Sequence, residues 1–346
     1  MTAGLVAAFG DQAGHCEGLD SPFMARLLRV LAKTWPTDTA LATKCATFTG
    51  DIGPLGHSLP LRIASGLHAL VLQDKDAVLS AVYPPNEAED ATFATTILKA
   101  LYNHDAFLCD WIDNAPQTNE VRRSAVLIGA AQLLAAHFDI PFQLSELGAS
   151  AGLNLMFDHF RLQIGNGYGP ASDVTLTPEW RGPMPPDHST TVAERRGVDL
   201  NPLNTKDAAD ALRLQAYLWA DQTDRITRTR AAIALQNAQI DQDDAIAWLQ
   251  QRLQSAWNAR LHLIFHTVAW QYFPEAAQER GRALIEAAGA QATQNAPLAW
   301  LSYEADDQSP GAALSLRLWP GDLHINLGRA DFHGRWVDWK APPSLT

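Results

Sequence analysis

The segment 142–152, FQLSELGASAG, decides the fold of this chain. Its first six residues are mostly apolar and predict a short buried strand. Gly148 and Gly152 then permit the positive φ angles of a tight turn, and residues 153–162 have helical periodicity. A strand, a glycine turn and a helix in this order are typical of α/β folds that bind a ligand at the carboxyl ends of parallel strands.

Downstream of this segment, strand patterns and helix patterns alternate. Strands are predicted at 192–200, 239–240, 261–266 and 298–303, and helices at 207–237, 248–257 and 274–289. The last two strand patterns, 313–318 and 324–327, flank the turn sequence Trp319-Pro320-Gly321-Asp322 and predict an antiparallel hairpin. We therefore predict an α/β protein whose mostly parallel sheet carries helices on both faces and ends in antiparallel strands.

Upstream of the segment, residues 1–138 are predicted to be helical. Apolar residues recur at helical spacing in Leu59–Leu72 and in 119–138, and strand patterns are scarce. We expect an N-terminal helical domain at 1–138 and a sheet domain at 139–346. Within the sheet domain, residues 161–191 are rich in glycine and proline and are expected to form an inserted loop or lid.

Composition restricts the possible classes of function. The 346 residues carry 26 basic and 38 acidic side chains, a net charge of −12, which argues against a nucleic-acid partner because such binding depends on Lys and Arg. No apolar run approaches the roughly 20 residues of a membrane span, and residues 1–10 lack the basic start of a signal peptide. We expect a cytoplasmic protein with a small-molecule partner. The scattered cysteines and histidines form no ligand motif, so no metal is expected.

The glycine turn has more than one interpretation. A dinucleotide motif needs glycine at 148, 150 and 153, where the chain has Gly148, Ser150 and Leu153, so NAD and FAD fit poorly. The E-x-G-x-G-x-G turn of class I methyltransferases fits better, at Glu146, Gly148 and Gly152, with Ser150 in place of the middle glycine. An acid at the strand end suits S-adenosylmethionine, which carries an ammonium and a sulfonium and no pyrophosphate.

A serine hydrolase is the rival interpretation. Residues 148–152 also read G-x-S-x-G, which would make Ser150 a nucleophile, with Asp306 or Asp307 and then His324 or His333 in the required chain order. Such an enzyme needs several strands before this turn, and none is predicted there. A structural glycine turn without any ligand is a third possibility.

Candidate cofactor residues follow from the methyltransferase interpretation. An acid at the end of the second strand could bind a ribose, and one after the third strand could bind the adenine amino group. Asp199 could equally cap a turn, and Asp244 could equally cap a helix. The cofactor-binding candidates are Glu146, Gly148, Ser150, Gly152, Asn154, Asp199 and Asp244.

Residues at the carboxyl end of the strand 261–266 are expected to border the reacting group. His266 is the candidate general base and Thr267 its catalytic neighbour. Trp270 and Tyr272 could form the wall of a substrate pocket, or the histidine and aromatics could simply pack in the core. Three polar residues at the start of the predicted helix 119–138 could also reach a substrate: Asn119, Glu120 and Arg123.

Several stretches together resemble an uncharacterised bacterial family, catalogued as a domain of unknown function. They are residues 60–62, 67–70, 119–120, 123–124, 146–155, 197–203, 216–222, 265–272 and 333–336, with Ala220 replacing an expected proline. Members of that family look like class I S-adenosylmethionine-dependent methyltransferases behind an N-terminal helical domain. The resemblance implies a Rossmann-like sheet of order 3-2-1-4-5-7-6 and a methyltransferase acting on a small molecule. A serine hydrolase and a non-catalytic binding module stay as alternatives.

Overall fold

The computed structural model describes residues 3–54 and 56–345, which divide into two compact units. Unit 1 comprises Met1–Thr118 and Lys206–Thr227, and unit 2 comprises Asn119–Thr205 and Arg228–Thr346. These bounds differ from the expected domains 1–138 and 139–346. They differ because helix α8 (Ser124–Phe138) packs within the sheet unit, against the segment that follows the glycine turn, whereas helix α9 (Ala208–Ala216) packs on helix α4 (Leu59–Leu72).

Unit 1 consists of helices and the segments that connect them, with no strand in the part that the structure describes. Helices are numbered in chain order, and those of unit 1 besides α4 and α9 are α1 (Ala3–Gly18), α2 (Pro22–Thr34), α3 (Ala40–Cys45), α5 (Ala77–Ser80), α6 (Asp90–Asn103) and α7 (Asp105–Trp111). Segment 206–227 is tied to α2 through Asp221, which accepts hydrogen bonds from Ser21 Oγ at 2.5 Å and from the Phe23 amide at 3.0 Å. Arg62, buried on α4, donates to the carbonyls of His57 and Ile112.

Unit 2 is an α/β unit around a nine-stranded sheet. Its strands are β1 (Phe142–Leu147), β4 (Glu179–Arg181), β5 (Val192–Asp199), β6 (Gln239–Gln242), β7 (Leu261–Thr267), β8 (Leu298–Glu304), β9 (Ala312–Trp319), β10 (Leu323–Ala330) and β11 (Trp336–Trp339), with β2 (Arg161–Leu162) and β3 (Thr175–Leu176) forming a separate pair. Its remaining helices are η1 (Val121–Arg123), η2 (Asn154–His159), α11 (Ala245–Arg252), η3 (Trp270–Tyr272) and α12 (Glu275–Gly289), while α10 (Thr223–Leu235) begins in unit 1. No helix of the described ranges is long and apolar enough to span a bilayer.

The sheet order is β4-β11-β10-β9-β8-β7-β1-β5-β6. Strands β6, β5, β1, β7 and β8 are parallel, and β8 to β11 form an antiparallel meander. Every residue of β1 and of β7 is buried, as expected for central strands covered on both faces. The protein is therefore of the α/β class, with a large, mostly parallel sheet.

The expected order 3-2-1-4-5-7-6 is wrong at its last two strands. The parallel half, β6-β5-β1-β7-β8, has the order 3-2-1-4-5, but β9 and β10 then continue the sheet in chain order. Residues 305–311 are the only link between β8 and β9. Such a link is too short for the crossover of a dozen or more residues that a parallel sixth strand requires, so the chain turns back beside β8.

Two predictions around the inserted segment also need correction. The helix expected at 153–162 is only the short 3-10 helix η2, because Phe160 is already extended and Arg161 pairs with Thr175 in a strand. The expected loop or lid at 161–191 contains β2, β3 and β4, and β4 lies beside β11 at the edge of the main sheet. The segment is therefore a built part of the sheet unit.

A buried histidine lies within the central strands. His262, on β7, is fully buried, and its Nε2 lies 2.8 Å from Ser145 Oγ on β1. Arg252 Nε donates to the same hydroxyl oxygen at 3.1 Å and is itself paired with Glu194. Burial, aided by the positive charge of Arg252, lowers the pKa of His262 to about 3. The imidazole is therefore neutral, and its Nδ1 has no hydrogen-bond partner in the structure.

This histidine predicts acid sensitivity. Its pKa is lower in the folded state than the ordinary value of 6.5, so protons bind preferentially to the unfolded chain, and stability present at neutral pH is lost as the pH falls below 6.5. Between pH 7.5 and pH 5 the free energy of unfolding should fall by about 2 kcal/mol because of this group. Urea denaturation of His262→Gln should lack that part of the loss, whereas His137→Gln, which changes an exposed histidine, should retain it. Equal losses in both variants would contradict the prediction.

Candidate functional site

The glycine turn follows the carboxyl end of the central strand β1. Gly148, Ser150 and Gly152 all have positive φ angles, of 71°, 53° and 71°. A Cβ atom at Gly148 would lie 2.5 Å from Ala269 Cβ, and one at Gly152 would lie 2.4 Å from Ile240 Cδ1. The turn is thus closely packed between the segment after β7 and strand β6, and both glycines are required by conformation and by space.

Glu146 is the last polar residue of β1 before the turn. Its side chain is 1% exposed, and Oε2 has no hydrogen-bond partner. Burial and, to a smaller extent, the nearby Asp199 carboxylate raise the pKa of Glu146 well above its ordinary value, and the charge of Arg123 acts in the opposite direction. No backbone amide therefore satisfies Oε2. An acid with a purely structural role would be expected to have its buried oxygens hydrogen-bonded.

Two more polar atoms at the turn have no partner. Ser150 Oγ and Asn154 Nδ2 are both buried without a hydrogen bond. Asn154 is held in place because its Oδ1 accepts a hydrogen bond of 2.7 Å from Ser124 Oγ, at the start of α8. Asn119 Oδ1 accepts from the Leu153 amide at 2.8 Å. Three buried polar atoms without a partner thus belong to residues of the turn or its flanks: Glu146 Oε2, Ser150 Oγ and Asn154 Nδ2. The Leu153 amide of the same segment is bonded to a side chain.

The two acids expected to hold a nucleoside both bind backbone amides. Asp199, at the end of β5, accepts from the Ser150 amide at 2.8 Å and from the Asn201 amide at 2.9 Å, so it fixes the glycine turn. Asp244 is exposed and caps α11, with Oδ1 accepting from the amides of Ile246 and Ala247. Each carboxylate can accept a further hydrogen bond, because a carboxylate oxygen has two lone pairs: each Asp199 oxygen accepts one of these amides, and Asp244 Oδ2 takes no part in the cap.

His266 is fully buried at the end of β7, and both of its ring nitrogens are engaged. Nδ1 lies 2.7 Å from Glu304 Oε1, and Nε2 accepts a hydrogen bond of 3.0 Å from Trp300 Nε1. Nδ1 therefore faces the Glu304 carboxylate, and the lone pair of Nε2 is used by the Trp300 N–H group. The expected role of general base is therefore not supported by this geometry, since no lone pair of the ring is available to a substrate. His266 is better described as a residue that positions Glu304.

Glu304, which sequence analysis missed, organises the segment after β7. Its carboxylate accepts hydrogen bonds from the amides of Ala269, Trp270 and Gln271 in addition to His266. Burial by itself would raise the pKa of Glu304, but these hydrogen bonds and the histidine outweigh it and lower the pKa below its ordinary value. The signal in the sequence was an acid at the end of β8, the strand that follows the His266 strand β7.

The backbone between His266 and Trp270 is strained. Val268 has a φ of 55°, which is a rare conformation for a β-branched residue. Its amide donates to the Tyr303 carbonyl at 2.8 Å. Arg123 Nη1 donates to the preceding carbonyl, that of Thr267, at 2.9 Å, and Arg123 Nε donates to the Phe332 carbonyl. Strain that is held in this way by several contacts is concentrated at ligand sites in proteins.

The remaining candidates have different positions. Trp270 is buried and stacks on His266 with ring centroids 4.8 Å apart, so it packs against His266 rather than facing solvent. Tyr272, in contrast, is 74% exposed. Glu120 is buried, and its Oε1 accepts from the Arg122 amide. The structure thus groups the predicted residues of β1, β5, β7 and η1 around the glycine turn, while Asp244 and Tyr272 lie at exposed positions.

A hydrolytic serine centre is not formed at Ser150. The candidate acid Asp306 is paired with Arg329 at 2.8 Å, and the candidate base His324 is exposed and lies 3.4 Å from Asp322. Ser150 Oγ has no hydrogen-bond partner, so no histidine is in place to take its proton.

Comparisons with known proteins identify the family and nothing beyond it. No curated protein and no solved structure matches the chain. A family profile described as "Uncharacterized protein conserved in bacteria (DUF2332)" matches residues 6–339. That match covers nearly all of the chain, including the glycine turn and the segment after β7. The chain therefore belongs to this uncharacterised bacterial family.

Proposed function

We propose that the glycine turn binds S-adenosylmethionine and that the protein transfers the methyl group to a small molecule. The observation that carries the proposal is the buried carboxyl group of Glu146, which lies at the end of the central strand without a hydrogen-bond partner for Oε2. The order β6-β5-β1-β7-β8 supports it, because the turn then follows the central strand at the point where the connections reverse direction and open α/β sheets bind ligands.

The polar atoms of the turn fit the amino-acid end of this compound. The Glu146 carboxylate would accept from the ammonium group, and Ser150 Oγ and Asn154 Nδ2 would donate to the carboxylate. Asp199 would use its second lone pairs for a ribose hydroxyl while it keeps the Ser150 amide. Asp244, at the start of α11, would accept from the adenine amino group with the oxygen that does not cap the helix.

When bound, S-adenosylmethionine supplies a methyl group on a positively charged sulfur, which an acceptor takes in a single displacement. In such a reaction the protein mainly aligns the acceptor, and a base is needed only if the acceptor must lose a proton. Glu304 and Arg123 would maintain this alignment by fixing the strained segment after β7. The acceptor would enter beside Thr267.

Glu146→Gln tests the proposal by calorimetric titration with two ligands. S-adenosylhomocysteine has the ammonium group, and 5′-methylthioadenosine lacks the whole amino-acid end. We expect the substitution to weaken binding of the first about 100-fold, or about 3 kcal/mol, because a buried charge pair is lost. Binding of the second should change little. The control Glu275→Gln, an exposed residue at the start of α12, should leave both affinities unchanged.

The same variant makes an opposite prediction for stability. The raised pKa of Glu146 means that the folded state disfavours the carboxylate, so the wild-type protein loses stability as the pH rises through that pKa. At pH 8, Glu146→Gln should therefore unfold with a free energy about 1–3 kcal/mol higher than wild type. Greater stability together with weaker binding identifies a functional acid. A loss of both would indicate that Glu146 is structural and would contradict the proposal.

Binding should also release a proton. A cationic ligand favours the Glu146 carboxylate, whereas the free protein favours the protonated form below its raised pKa. Affinity for S-adenosylhomocysteine should then fall by up to about tenfold for each pH unit of acidification below that pKa. Calorimetry in two buffers of different ionisation enthalpy measures the proton directly. Proton release in the wild type that persists in Glu146→Gln would assign it to another group.

The rival functions give different results. A fluorophosphonate should not label Ser150, because no histidine activates its hydroxyl; labelling that Ser150→Ala abolishes would favour a hydrolase. Binding of S-adenosylmethionine without methylation of any tested acceptor would favour a binding module. Absence of any binding heat at high protein concentration would remove the proposal.

A further inference from the structure

A cavity lies in unit 2, beside helix α8, and none of the residues of the glycine turn lines it. It has a volume of about 340 Å³, which is sufficient for a small organic molecule. Its apolar part is formed by Ile128, Phe157 and Phe160, which are all buried. Gln132 and the segment 187–190 line it farther along α8, and that segment leads into β5 at the amino end of the strand. Ligands at the carboxyl ends of the strands would therefore not occupy it.

A mostly buried carboxylate lines this cavity. Asp158 lines it, and its Oδ2 accepts a hydrogen bond of 2.7 Å from Arg195, which does not line it. Oδ1 is buried and has no partner. Burial raises the pKa of Asp158, although Arg195 and His159 counteract part of the rise. Asp158 Oδ2 is thus paired with Arg195 on β5, and Oδ1 can accept a further hydrogen bond.

A second acid lines the cavity. Asp187 lines it with an exposed carboxylate, and none of its described lining residues is Lys or Arg. His188, at the rim, lies 3.7 Å from a further acid, Asp139. The apolar floor and the two carboxylates together complement a molecule that is positively charged at one end and hydrocarbon at the other.

The segment 187–190 is held in a defined position by hydrogen bonds to α8. Gln132 Oε1 accepts from the His188 amide at 2.7 Å, and Gln132 Nε2 donates to Thr190 Oγ1 at 3.5 Å. Tyr168 OH donates to the Pro185 carbonyl at 2.7 Å, just before this segment. The cavity is therefore bounded by side chain contacts to α8 and to the inserted segment, which is the preorganisation that a small-molecule site requires.

We propose that this cavity binds a small primary amine with an apolar body, its ammonium group between Asp158 and Asp187 and its hydrocarbon part against Ile128, Phe157 and Phe160. This site is separate from the proposed S-adenosylmethionine site. It requires neither Glu146 nor methyl transfer.

The test uses 2-phenylethylamine and its neutral counterpart 2-phenylethanol, titrated into the full chain in phosphate buffer. The amine should bind about tenfold or more tightly than the alcohol, because hydrogen bonds to charged groups account for the difference. Asp187→Asn should remove about that factor for the amine and leave the alcohol unchanged. Asp158→Asn should do the same, and Ser189→Trp, which narrows the rim, should weaken both ligands.

Two control variants locate the binding. Asp173→Asn, an exposed acid of the same inserted segment that does not line the cavity, should leave the amine affinity unchanged. Glu146→Gln should also leave it unchanged, which separates this site from the glycine turn. The proposal would be overturned if the amine does not bind, or if amine and alcohol bind equally well. It would also be overturned if amine binding survives both Asp158→Asn and Asp187→Asn, or if it is lost in Glu146→Gln. Because Asp187 is exposed, its variant remains informative even if Asp158→Asn unfolds the chain.

Discussion

Burial of the Glu146 carboxyl group at the end of the central strand is the constraint on which the site depends. The strand must be buried on both faces to form the middle of the sheet, and its last polar residue therefore has no access to water. A carboxyl group in that position is costly unless a proton or a cation accompanies it. No basic side chain of the turn donates a hydrogen bond to it, and the charge of Arg123 offsets only part of the cost of burial. This buried acid with an oxygen that lacks a hydrogen-bond partner is the basis of the proposed ligand site.

The other acids of this edge show the contrast. Asp199 accepts hydrogen bonds from two backbone amides and fixes the glycine turn. Glu304 accepts hydrogen bonds from three and fixes the segment after β7. Acids of this kind act as caps and lower the cost of irregular backbone, including the positive φ angles of Ser150 and Val268. The carboxylates of the site therefore have different roles. Asp199 and Glu304 hold the backbone, whereas Glu146 has an oxygen, Oε2, without a hydrogen-bond partner in the proposed ligand site. The same distinction applies to Asp158, whose second oxygen has no partner in a cavity with an apolar floor.

Sequence patterns predicted the local elements well and the contacts between elements poorly. The bounds of β1 agree with the prediction, and β7 and β8 each differ by one residue, because an apolar run between turn residues is a local signal. The last two strands were placed in the wrong order because lateral position in a sheet depends on the length of the connecting segment rather than on strand composition. Glu146, Ser150 and Asn154 could be chosen from the motif alone. The contacts of Trp300 and Glu304 with His266 could not be predicted, since they arise only through the register between β7 and β8.

The most direct measurement is the titration of the Glu146 side chain by carbon-13 NMR, with the signal assigned through its absence from Glu146→Gln. In the free protein we predict a midpoint well above that of an ordinary glutamate, because burial disfavours the carboxylate. Saturation with S-adenosylhomocysteine should move the midpoint downward, since its ammonium group stabilises the charged form. An ordinary midpoint that the ligand does not change would contradict the assignment of this carboxyl group to a cationic ligand.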